Sequence, residues 1–174
     1  MTDIATRIEE SGAVKRGAFQ LSDSTLTDYY IDKYVFETKP SLLSAVTDAL
    51  AEHVDGEATD LVAGPALGAI PLVTALSLEL GVDAVFVRKG EGLQGTQARI
   101  EGHVEKGMRA VVVEDVTMTG ETAIESARVV EGGGAIVECL LSVVDRNEGA
   151  AEAIGNAGYG FQPVVTMDDD IFVE

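Results

Sequence analysis

From Asp60 to the end of the chain, short and continuously apolar runs alternate with segments of helical spacing. LVAG, AVFVR, AVVVE and AIVECLLSVV each read as a strand buried on both faces, since a sheet covered by helices on either side loses the one-in, one-out alternation of a half-solvated one. Between them Ile70–Leu80, Ala123–Glu131 and a segment near Glu148–Asn156 carry apolar residues at the helical period, and Phe161–Thr166 supplies a last strand. Upstream, Thr2 or Asp3 caps a short helix that Gly12 ends, and GAFQLSDS and TDYYIDKYVFE read as two strands around a turn at Asp23-Ser24, with Lys33 in the second. Pro40 then opens a helix from Ser41 to about His53. The pattern predicts an α/β fold: a mostly parallel, twisted sheet with helices on both faces. In such sheets ligands bind at the carboxyl ends of the strands. Here those ends carry Gly64-Pro65-Ala66-Leu67-Gly68, Arg88-Lys89, Glu114-Asp115 and Asp145-Arg146.

Length and charge narrow the reading. The 174 residues suit one domain, residues 1–174, with no linker, repeat or membrane-length apolar run, and the acidic, amphipathic N-terminus is unlike a signal peptide, so a cytoplasmic location is expected. Thirty acidic against 12 basic residues give a formal charge of −18. That field repels nucleic acid and anionic membranes, so neither is expected as a partner. Acid spread over the whole chain also suits a halophilic source, where salt screens self-repulsion. With so few cations, each Lys or Arg near an anion site carries information. Cys139, the single cysteine, reads as a buried structural thiol, and His53 and His103, remote from other metal-ligating types, read as surface residues.

The richest stretch is RAVVVEDVTMTGETAIE, Arg109 to Glu125. A buried strand ends in two carboxylates, Glu114 and Asp115, and a turn holding Thr117, Thr119, Gly120 and Thr122 leads into a helix. A helix N-terminus offers unpaired N–H groups and positive potential to a phosphate, and carboxylates accept hydrogen bonds from ribose hydroxyls, so the pair suits a phosphorylated ribose. The alternative is an ordinary β–α connection in which Thr and Gly only cap a helix. Alternatives stay open elsewhere too. The Gly64–Gly68 loop either offers amides to a second phosphate or is a tight turn. Arg88 and Lys89 face an anion or solvent. Arg146 grips a ligand carboxylate or pairs with Asp145 or Glu148. GEGLQG, residues 90–95, satisfies G-x-G-x-x-G, but a dinucleotide fold needs a helix directly after it, and TQARIEGHVEKG has too few apolar residues to make one. Residues 90–107 read instead as a long, flexible loop of the lid type.

VVVEDVTMTGET resembles the phosphoribosyl-pyrophosphate (PRPP) signature of type I phosphoribosyltransferases, and YYIDKYVFE, AGPALGAIPLVTALSLELG, FVRKG and VVDRNEG follow in the order of the orotate branch, especially its archaeal members. The resemblance runs from about residue 12 to 166. It implies Mg²⁺-dependent transfer of a phosphoribosyl group from PRPP to orotate by a homodimer, a small N-terminal hood (about residues 1–40) and a flexible catalytic loop (about 90–107). It implies that Glu114 and Asp115 hold the ribose, that Thr117, Met118, Thr119, Gly120, Glu121 and Thr122 hold the 5-phosphate, and that Gly64, Pro65, Ala66 and Gly68 meet the pyrophosphate. Arg88 and Lys89 would reach the ligand of a neighbouring subunit and, with Asp115, act in catalysis. Arg146 and Lys33 would serve orotate, and Mg²⁺ would ride on donor oxygens rather than in a protein cage. The chain departs from the family pattern at four places. Gly92 and Gln94 replace a loop lysine and histidine, Met118 replaces a threonine, and Ser22 replaces a lysine. An alternative is therefore a relative that binds PRPP or a nucleotide as a regulator, or that uses another base. The enzyme reading is preferred, since no basic face or appended DNA-binding segment supports a regulator.

Overall fold

The computed structural model describes residues 3–20, 26–90, 99–168 and 171. The N-terminal part is helix α1 (Ile4–Glu10), an antiparallel pair β1 (Val14–Gln20) and β2 (Leu26–Ile31), and a single-turn helix α2 (Tyr34–Thr38). Then follow α3 (Pro40–Ala51), β3 (Leu61–Pro65), α4 (Ile70–Leu80), β4 (Asp83–Val87), β5 (Ile100–Glu101), β6 (Arg109–Thr117), α5 (Glu121–Gly132), β7 (Ile136–Asp145), α6 (Ala150–Asn156) and β8 (Gly160–Thr166). Six strands form one sheet in the order β5-β4-β3-β6-β7-β8, parallel except for β5 at the edge. No helix among the described residues is long and apolar enough to cross a membrane.

The uninterrupted apolar runs mean that both faces are covered. Along β6, Val111 and Val113 enter one core with α1, α3 and α4, whereas Ala110 and Val112 enter a second core with α5 and α6. Successive side chains of a strand point to opposite faces, so an all-apolar strand needs two cores. Helix α3 buries Leu42, Val46 and Leu50 at i, i+4 spacing behind Pro40, and α4 stops at Gly81, whose left-handed φ of 71° closes the last turn on the Ser77 carbonyl.

Several expectations need correction. YVFE is helix, not strand: Pro40 forces Lys39 into extended backbone, and burial of Phe36 rather than strand pairing explains the aromatic composition. Lys33 therefore sits at the start of α2, outside β2. Residues 99–107 are not structureless, because Ile100–Glu101 pair with β4. Cys139 is half-buried, its Sγ 3.5 Å from the Leu140 carbonyl, rather than fully enclosed. His53 and His103 are exposed as expected. The Asp23-Ser24 turn, Ser22, Gly92, Gln94 and most of the glycine motif lie outside the described residues.

One mismatch in strand length makes the functional cleft. Strand β3 pairs with β6 only from Leu61↔Ala110 to Ala63↔Val112, while β6 continues beside β7 as far as Thr117↔Asp145. Strand order reverses between β3 and β6, and the crevice at that switch point lies between the β3 loop and the free end of β6.

Candidate active site

Glu114 and Asp115 lie on this free end of β6, past its last pairing with β3. They line a cleft of about 240 Å³ with Lys33, Tyr34, Pro65, Ala66, Leu67, Gly68, Lys89 and Thr122. Residues far apart in sequence thus meet around one carboxylate pair. Glu114 is 8 % exposed, and burial, followed by the neighbouring charge of Asp115, pushes its carboxyl up to about 8 although Lys89 and Lys33 pull the other way. Asp115 accepts the Val116 N–H on Oδ1 (2.6 Å) and the Lys33 ammonium on Oδ2 (2.5 Å).

The β3 loop has to be made of small residues. A Cβ on Gly64 would strike the Val113 carbonyl and the side chains of Val73 and Ala69, and one on Gly68 would overlap Asp115 Oδ2 and Lys33 Nζ. Gly68 is the space in which that ion pair forms. The Ala66–Leu67 peptide is cis. The Ala66 N–H is used by the Val87 carbonyl (2.7 Å), so Ala66 lines the cleft but offers it no amide; among the described residues the N–H groups of Leu67 and Gly68 have no protein partner.

On the opposite wall, Gly120 precedes α5 with φ 80°, packed against Ile154 so that a Cβ would come within 3.0 Å. No side chain caps α5, and the Gly120 carbonyl already takes the Ile124 N–H, so the amides of Glu121, Thr122 and Ala123 have no protein partner among the described residues. They form an open, positive cradle. Thr119 is exposed, and Met118 is half-buried. Thr117 corrects the expectation: it is still strand, 1 % exposed, and its hydroxyl donates to Ser142 Oγ (2.6 Å), so it is turned into the sheet and away from the cradle.

Arg88 and Lys89 separate. Lys89 reaches the cleft, whereas Arg88 points the other way and pairs with Glu101 (3.0 Å), as consecutive residues leaving a strand must. Arg99 from β5's flank holds the Arg88 carbonyl and pairs with Glu125 (2.7 Å). Lys33, expected beside Arg146, instead joins the carboxylates.

Arg146 follows β7 and is 5 % exposed. Its backbone N–H donates to the Thr117 carbonyl (2.8 Å), which ties it to the end of β6. Its Nε pairs with Glu148 (2.7 Å), Nη2 donates to Thr27 Oγ1 (3.2 Å), and the guanidinium lies over the Tyr29 ring, 4.5 Å from its centroid. The side chain is aimed between β2 and the sheet, with the Glu148 bridge that the sequence had offered as its alternative.

Sequence reasoning missed Tyr29, Thr27 and Glu37. Thr27 and Tyr29 occupy one face of β2 at i, i+2, a parity visible in the sequence, but nothing local says that an arginine more than a hundred residues away packs against them. Glu37 is 3 % exposed beside Lys33 and Asp115, and burial, then the Asp115 charge, lifts its carboxyl to about 7. In the sequence it looks like an ordinary surface acid.

Residues 36–173 match the family model described as phosphoribosyl transferase domain. The chain is 40% identical over 167 residues to a protein of Halobacterium salinarum named orotate phosphoribosyltransferase, covering 96% of this chain and 94% of that one. Its fold superposes on the crystal structure of orotate phosphoribosyltransferase from Aeropyrum pernix with TM-score 0.86, at 34% identity and with 96% and 95% of the two chains covered. The Mycobacterium tuberculosis orotate phosphoribosyltransferase in complex with PRPP matches with TM-score 0.77 at 30% identity, covering 94% and 93%.

Proposed function

The chain belongs to the phosphoribosyltransferase family, in its orotate branch, and from that premise we propose that its cleft transfers the phosphoribosyl group of PRPP to orotate, giving orotidine 5′-phosphate and pyrophosphate for pyrimidine biosynthesis. The observation that carries this reading is the carboxylate pair Glu114–Asp115 held between an uncapped helix start and a glycine loop. In this assignment the two acids accept the ribose hydroxyls. The turn Met118, Thr119, Gly120, Glu121 and Thr122 cradles the 5-phosphate. The loop Gly64, Pro65, Ala66, Leu67 and Gly68, with Lys33 and Lys89, faces the pyrophosphate. Arg146 takes the orotate carboxylate, with Tyr29 ordering its guanidinium.

The bond between ribose C1 and the pyrophosphate oxygen breaks as C1 bonds to the orotate ring nitrogen, whose N–H proton passes to solvent or to the departing pyrophosphate. Positive charge builds on the ribose and negative charge on the leaving group, so the site acts by positioning and by neutralising that charge. Glu114 and Asp115 hold the ribose while Lys33 and Lys89 face the departing oxygens. No group of three acidic, His or Cys side chains suited to a metal occurs among the described residues. Mg²⁺ would be carried mainly by donor oxygens, with Asp115 and Glu114 nearby, and would supply charge neutralisation there.

The segment of residues 1–40 is assigned as a hood over the acceptor, supported by the reach of β2 to Arg146. Residues 90–107 are assigned as a catalytic loop, and Arg88, directed away from its own cleft, as the group offered to a second copy in a homodimer. The −18 charge supports a halophilic setting. The test is direct: with orotate, PRPP and Mg²⁺ in molar salt, orotate absorbance should fall while pyrophosphate accumulates one for one. Retained PRPP binding without turnover would overturn the enzyme.

A further inference from the structure

Glu37 is the buried polar group that the reaction as described leaves unused. Both of its carboxylate oxygens are buried with no hydrogen-bond partner among the described residues, a state that costs stability and calls for a reason. It lies one helical turn beyond Lys33, its N–H donating to the Lys33 carbonyl (3.1 Å), so the two side chains share a face of α2. The charges acting on it are Asp32 and Lys33 before and at the start of α2, and Asp115 from β6. Helices α3 and α4, packed against α2, carry only the exposed Asp48 and Glu79. Lys33 is therefore the cation that Glu37 faces, and its ammonium is bound to Asp115.

That bond bears on the donor. Asp115 is 7 % exposed and accepts Val116 N–H on Oδ1 and Lys33 on Oδ2, so a ribose hydroxyl that takes a remaining lone pair of Oδ2 shares that oxygen with Lys33 and loosens its hold. A half-buried ammonium released there needs a new acceptor.

We propose that Glu37 is a positioning residue for the donor: when ribose hydroxyls take Asp115, the Lys33 ammonium turns to Glu37 and is held beside Gly68, facing the pyrophosphate. This rests on the donor assignment above. Because burial lifts the Glu37 carboxyl to about 7, pairing it with Lys33 ionises it, and its proton passes to the buffer as the donor binds. Glu37 touches no substrate and acts through Lys33.

The test is calorimetric titration of the protein with PRPP and Mg²⁺, without orotate, in buffers of different ionisation enthalpy between pH 6 and 8.5. The wild type should release protons on binding. Glu37→Gln should bind about tenfold more weakly and release fewer protons near pH 7, while Glu37→Asp, which can still ionise, should recover part of both. Glu114 titrates in every variant, so the difference belongs to Glu37. Wild-type affinity and proton release in Glu37→Gln would overturn the proposal. If that variant does not fold, wild type carrying carboxyl-labelled glutamate decides: a carboxyl titrating near 7, absent in the Asp variant, must move to lower pH when PRPP binds, and an unmoved signal refutes the transfer. Absence of any PRPP binding by the wild type would instead remove the donor assignment itself, and this inference with it.

Discussion

Arg146 is held on three sides, by Glu148, Thr27 and the Tyr29 ring, and its charge has been carried to 5 % exposure. Such ordering suits recognition of a planar carboxylate, since little side-chain entropy remains to be lost. Arg146→Ala should raise KM for orotate about tenfold to a hundredfold, in line with about 1.5–3 kcal/mol for a charge-assisted hydrogen bond, and leave PRPP affinity within a factor of two. Steady-state kinetics with either substrate varied reads this directly; an unchanged orotate KM would make the arginine structural. Glu114 gives a prediction about pH. Its carboxyl is raised from 4.5 to about 8, so the folded state favours the protonated form. That contribution is fully present below about 4.5 and is lost as pH rises through about 8. In urea unfolding without ligand, stability should fall from pH 5.5 to 8.5 by an amount on the order of a few kcal/mol, and Glu114→Gln should flatten the slope. An equal slope in the variant would mean that Glu114 is solvated.

At the scale of elements, the site depends on ends rather than middles. Strand β6 outruns β3, α5 starts without a side-chain cap, and α2 is one turn held between β2 and Pro40. Gly120 joins two of these, because φ 80° and the contact with Ile154 leave no room for a side chain. Gly120→Ala should cost about 1–2 kcal/mol of stability and weaken ribose 5-phosphate binding more than orotate binding. Thermal unfolding and calorimetry of the two ligands separate these effects. Equal losses for both ligands would argue for general damage rather than a phosphate cradle. Element α2 also shows where periodicity misleads, since Tyr34 to Phe36 have strand-like composition yet form a helix, burial of Phe36 being the common cause that composition reports.

For the whole molecule, 30 acidic residues against 12 basic ones set the response to salt. At about 0.1 M salt the screening length is roughly 10 Å and at about 1 M roughly 3 Å, so self-repulsion across the surface fades over that range. The melting temperature should rise between 0.1 M and 2 M KCl, by differential scanning calorimetry, and activity should rise with it. A melting temperature that falls would remove the halophilic reading.

The chain alone determined the alternation of buried strands and helices, the bounds of α4, and the pairing of Glu114 with Asp115 beyond an apolar strand run, though β6 continues past both to Thr117, because apolar spacing and strand-to-helix turns are local and survive in one dimension. Tertiary structure alone decided which side chains meet. It turned Arg88 from the cleft and Thr117 into the sheet, and it brought Lys33 to Asp115 across 82 positions. It placed Tyr29 under Arg146 and buried Glu37 with no hydrogen-bond partner among the described residues. Those outcomes follow from sheet order, from where β3 stops pairing with β6, and from the packing of α2. Each is a distance between residues remote along the chain, which no local pattern encodes.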